Sequence, residues 1–129
     1  LDFLDMSLWD CFKEPQEEEF KGKTLIQHFC ELERGTTRLG VAGNLRTPQD
    51  VTKALEEGVD WIMLGRAAIL HHDFPKLYEE DDQFVPSQIP VSVDYLTQEG
   101  LSPKFIEYMS NWGFVDGSVD RMKEAIKKA

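Results

Sequence analysis

Positive charge is scarce in this sequence. Lys and Arg number 14 against 24 Asp and Glu, a formal net charge of -10. A chain that tracks nucleic acid or lies on an anionic membrane needs a basic patch. The balance argues against both partners. Apolar runs are short, and none approaches the roughly 20 residues that cross a bilayer. No basic, apolar and small-residue segment of the secretory kind opens the chain. Cysteine is nearly absent. Cys11 and Cys30 stand apart from any C-x-x-C or zinc spacing. They read as reduced thiols, which points to the cytoplasm. The first residue is Leu rather than Met. It opens on what reads as the inside of a strand, so truncation or processing upstream is expected.

What is present suits one domain or part of one: 129 residues, 41% of them hydrophobic. Leu1, Phe3, Leu4, Met6, Leu8 and Trp9 crowd one short run and read as a largely buried strand. Asp10 to Lys23 is a polar loop. Thr24 opens a helix with Leu25, Phe29 and Leu32 on one face, and Gly35 is placed to end it. Thr37 to Gly43 is a second strand. In the next helix Thr47 suits the N-cap, Pro48 the first turn and Asp50 the positive end of the dipole. Val51, Ala54 and Leu55 form its apolar face, and Gly58 ends it. Val59 to Gly65 is a third strand, and Arg66 to Leu70 begins a short helix. This alternation predicts parallel strands with right-handed crossovers. After Asp73 the chain turns acidic and Pro-punctuated, and reads as a surface segment. A helix capped by Ser102 follows, with Phe105, Ile106, Met109 and Trp112 expected to face inward. A lysine-ended helix closes the chain.

Two turns carry the chemistry. Gly43-Asn44 and Gly65-Arg66 each follow an apolar strand, where parallel α/β folds place their ligands. Glycine lets a backbone approach a ligand closely. N–H groups at a turn or helix start point at anions, and Arg66 adds a fork for phosphate. On adjacent strands the pair reads as a phosphate clamp. His28, His71 and His72 are expected to be structural or solvated. The adjacent pair has no third ligand nearby in the sequence, so no metal is expected.

The stretch from Gly40 to Pro75 resembles the C-terminal segment of the old yellow enzyme family of NADH:flavin oxidoreductases. Gly58, Asp60, Gly65, Arg66, Asp73 and Pro75 follow one another in the family's order. Residues 1–7 resemble its sixth strand, and Leu101 to Val115 its late helix. The resemblance covers about residues 1–115. It implies an α/β chain that is the C-terminal portion of a TIM (β/α)8 barrel, about strands six to eight, incomplete by itself. Residues 1–75 would be barrel units and 76–129 a C-terminal extension. It implies FMN, its phosphate held by Gly43, Asn44, Gly65 and Arg66, with NADH or NADPH as reductant and an electron-poor small molecule as substrate. Catalytic residues would lie upstream, so none is expected in this chain. Trp9 and Cys11, on the loop after the first strand, would line the substrate pocket. Three parallel strands leave two bare edges. Self-association, or pairing with the absent N-terminal half, is therefore expected. The other reading of the same residues is a non-catalytic module that binds a phosphorylated ligand or a partner chain.

Overall fold

The capping residues behave as their chemistry dictates in the computed structural model, which describes residues 1–129. Thr24 Oγ1 accepts a hydrogen bond from the backbone of Gln27, whose side-chain Oε1 accepts one from the backbone N–H of Thr24, and α1 (Leu25–Cys30) starts there. Thr47 and Asp50 close the same reciprocal box ahead of α2 (Pro48–Glu56), with Pro48 in the first turn. Gly35 and Gly58 sit at φ 55° and 106°, a conformation glycine reaches without a Cβ penalty.

Three strands alternate with these helices. β1 (Phe3–Ser7), β2 (Arg38–Ala42) and β3 (Trp61–Ile62) pair in parallel in the order β1-β2-β3. Leu4 is level with Leu39 and Met6 with Val41; Val41 is level with Ile62. These side chains share one face. With Ile26, Leu45, Ala54 and Val59 they build the main core beneath α1 and α2. β1 was expected to be largely buried, yet only Met6 is. Phe3, Asp5 and Ser7 point to the other face and stay exposed. There the ring of Trp61 lies over Gly40, where an added Cβ would stand 2.2 Å from the ring. Phe3 meets Trp61 edge-on, with ring centres 5.6 Å apart.

The acidic, Pro-punctuated segment is not a bare surface loop. It contains α4 (Phe74–Glu80), and α5 (Val93–Gln98) follows directly after it. Pro75 falls in the first turn of α4, where its missing N–H costs nothing, and Phe74 beside it is buried. α3 (Arg66–Leu70) precedes α4, and α6 (Pro103–Ser110) and α7 (Ser118–Lys128) complete the chain. Val91, Leu96 and Ile106 form a second centre, against which Ile69 and Leu70 of α3 pack. Val51, Ala67 and Phe74 form a smaller one, flanked by Ile62 and Leu64. The position expected to divide the chain, residue 75, lies inside α4.

The expected barrel portion is therefore corrected. The chain forms a compact α/β domain with an open three-stranded parallel sheet and seven α-helices. Residues 76–129 run from within α4 through α7. They supply four of the seven helices in part or whole, and Val91, Leu96 and Ile106 among them pack with Ile69 and Leu70 of α3. No helix is long and apolar enough to cross a membrane.

Candidate functional site

The carboxyl ends of β2 and β3 lead into the two glycine turns. They differ in a way their shared residue type hides. Gly43 is glycine for packing: an added Cβ would stand 2.8 Å from the backbone nitrogen of Cys11. That nitrogen donates to the carbonyl of Gly43 at 3.2 Å, tying the loop after β1 to the turn after β2. An added Cβ on Gly65 meets nothing within 4 Å. The approach to the second turn is open. Asn44 adopts φ 57°, in the left-handed region that asparagine tolerates better than most residues.

Residues of both turns line one cavity of about 140 Å³, formed by Ala42 to Arg46 with Met63, Gly65 and Arg66. No hydrogen bond within the protein engages the backbone N–H of Gly43, Asn44 or Gly65. The N–H groups of Arg46 and Thr47 are already used, both donating to one carboxylate oxygen of Asp50. Arg46 was absent from the sequence-based site, yet its side chain lines the cavity. Its Nε donates to Asn44 Oδ1 at 2.8 Å. Asn44 in turn donates to Asp10 at 3.3 Å, which puts one carboxylate at the rim. Neither Arg46 nor Arg66 forms an ion pair with any carboxylate. Two guanidinium groups free of ion pairs therefore stand beside one cavity, whose rim also carries the Asp10 carboxylate.

No family model, curated protein or solved structure matches this chain.

Arg66 is shared by three cavities. Besides the turn cavity it lines a hollow of about 150 Å³ with Arg46, Thr47, Ser87 and Phe114. It also lines an aromatic cleft of about 280 Å³ with Trp9, Tyr108, Met109, Trp112 and Phe114. Trp9 is 89% exposed on the loop after β1, and Trp112 63% exposed just beyond α6. Of the four α6-region residues expected to face inward, Ile106 and Met109 are buried, whereas Phe105 and Trp112 face solvent. The sequence offered a signal for this. Tyr108 shares the i, i+3 and i+4 spacing of Phe105 and Trp112, so an aromatic stripe runs beside the Ile106–Met109 stripe.

Cys11 sits elsewhere. It is fully buried among Met6, Ile26 and Val41, and lines neither the turn cavity nor the aromatic cleft. Burial, helped by the Asp10 carboxylate, pushes its thiol up to about 11, so it stays protonated at neutral pH. Burial also raises the Cys30 thiol.

The histidines have partners, all away from the turns. His28 Nε2 meets the carbonyl of Phe20 at 2.8 Å. His71 accepts from the backbone of Ser87 at 3.0 Å and sits edge-on to Phe84 and Tyr95. His72, expected to be structural or solvated with no third ligand near it, has Glu99 from the end of α5 at 2.6 Å of its Nδ1. Asp73 lies close enough for the three to share an ion. The same Glu99 oxygen also accepts from the His72 backbone at 3.0 Å, so the pair is complete as it stands. Fold contacts 27 residues apart of this kind leave no trace in local spacing.

Proposed function

We propose that the Gly43–Arg46 and Gly65–Arg66 turns bind the phosphate of FMN, and that the chain serves an old yellow enzyme-like NAD(P)H:flavin oxidoreductase reducing an electron-poor acceptor. One observation carries the phosphate assignment. Two arginines without acidic partners and three backbone N–H groups without internal acceptors border a single cavity at the carboxyl ends of adjacent parallel strands. The donor set fits a phosphate: an arginine fork with backbone N–H groups is the usual cradle. Flavin, when bound, supplies the exchange of hydride. The chain's own part is to hold the phosphate and fix its position. The flavin assignment itself rests on the resemblance of Gly40–Pro75. Two thiols without a disulfide support a reducing, cytoplasmic setting. The bare outer edges of β1 and β3 support pairing with a second chain.

A second reading has an observation of its own. No histidine, cysteine, tyrosine, lysine or acidic residue is among those lining the turn cavity, so its lining offers no group that exchanges a proton near neutral pH. This favours a non-catalytic binder of phosphorylated ligands. A visible absorbance spectrum of the purified protein separates the two: flavin bands support the first, and a colourless protein that binds inorganic phosphate supports the second. In either case Arg66→Ala is expected to weaken binding of FMN or phosphate about tenfold or more. Unchanged affinity in isothermal titration removes Arg66 from the site.

A further inference from the structure

The phosphate assignment leaves the largest Arg66 cavity unexplained. The cleft formed by Trp9, Tyr108, Met109, Trp112 and Phe114 has aromatic walls and one charged residue, Arg66, at the border with the turn cavity. Aromatic side chains this exposed are costly unless something covers them. Trp9 is 89% exposed and Tyr108 53%. The rings on the α6 side do not hang loose. Phe105 stacks on Tyr108 with ring centres 6.0 Å apart and planes 29° apart, and Tyr108 leans on Trp112 at 6.2 Å. Rings held by their neighbours lose little freedom when another flat ring slides in.

We propose that this cleft is the subsite for a planar heteroaromatic ring carried by the phosphate-bearing ligand, with Trp9 and Trp112 stacking on the ring and Arg66 marking the junction of ring and phosphate subsites. The occupant follows from continuity. A ligand whose phosphate meets Arg66 in the turn cavity has its next volume in the cleft that the same arginine borders. The cleft carries no carboxylate and one cation, so it suits an uncharged flat ring attached to an anion. A ring on a short flexible chain can reach both subsites at once. The chain then contributes to the ring as well as to the phosphate, with Trp9 coming from the loop after β1 and Trp112 from a segment more than 100 residues later. The proposal rests on the anion-binding reading of Arg66 for its phosphate end only.

The test uses the full chain, with FMN, riboflavin and inorganic phosphate as titrants in a calorimeter. Trp9→Ala and Trp112→Ala are each expected to weaken FMN and riboflavin about fivefold or more, and to leave inorganic phosphate unchanged. Trp112→Phe, which keeps a ring, should restore most of the loss. Arg66→Ala should weaken FMN and phosphate but spare riboflavin. FMN and riboflavin affinities that ignore both tryptophan substitutions overturn the ring subsite and leave the phosphate reading standing. Riboflavin binding that needs both tryptophans, in a protein indifferent to inorganic phosphate, upholds the ring subsite and overturns the phosphate reading. A wild-type chain that binds none of the three overturns both. Light scattering covers the remaining occupant: tryptophan variants that disperse a dimer while ligand affinities hold assign the cleft to a second copy of the chain and overturn the proposal.

Discussion

Gly43 and Gly65 illustrate how one residue type serves two ends. Gly43 has the backbone nitrogen of Cys11 where a Cβ would go, whereas Gly65 has open space. Gly43→Ala is therefore expected to cost about 1–3 kcal/mol through forced separation of the two loops. Gly65→Ala should cost less than about 1 kcal/mol. Urea midpoints of the two variants check this, and equal midpoints would show that the packing argument fails. Cys11 gives a second expectation. A buried, protonated thiol should resist alkylation in the folded protein and react once urea unfolds it. Peptide mass mapping after a short alkylation reads this directly. At this scale the sequence showed which turns matter but not why each is glycine. The packing partner of Gly43 lies 32 residues away on another strand's loop, and nothing in its neighbours announces it. Arg46 was hidden for a related reason. Its guanidinium forms no ion pair and bonds to Asn44 instead, which only the folded arrangement reveals.

Helix starts were the most legible elements, because a cap is a local interaction. Thr24, Thr47 and Ser102 each accept from the backbone three residues on, as their types and spacing predict. Thr47→Ala should lower stability by about 0.5–2 kcal/mol, measurable by chemical denaturation. A shift near zero would show that Asp50 alone holds the start of α2. Less legible were α4 and α5. A proline in a first turn looks like a breaker until the boundary is known. Nor could the pairing of the α3–α4 link with α5 be seen. Glu99 holds the His72 imidazolium and raises its pKa above the usual 6.5. The folded value lies above the unfolded one, so the pair's contribution is fully present below about pH 6.5 and fades as pH rises through the raised value. The stability difference between wild type and Glu99→Gln should accordingly be larger at pH 5.5 than at pH 8.5. A difference that is flat with pH would show that the pair does not depend on the histidine's charge.

For the whole molecule, the expectation of parallel strands with alternating helices was correct, and that of a barrel portion was not. The βαβ rhythm is written in local periodicity. What closes around the sheet is decided by where the later helices dock, through Ile69, Leu70 and Tyr95. Tyr95 also donates to the carbonyl of Leu70 at 2.7 Å. These contacts fasten the C-terminal helices to α3, whose Ala67 packs in turn with Ile62 of β3. Leu96→Ala, at a fully buried position, should cost about 2–4 kcal/mol and shift a single unfolding transition. Two separated transitions, with only the second spared, would show that the halves fold independently.

The hydrogen bond from Cys11 to Gly43 has a consequence for tempo. It fastens the loop that carries Trp9 to the turn that carries Asn44, with no space between them for a methyl group. The two loops must therefore open together or not at all. The amide protons of Cys11 and its neighbours report that shared event, so a ligand gripping only the turn should slow hydrogen exchange in a loop it never touches.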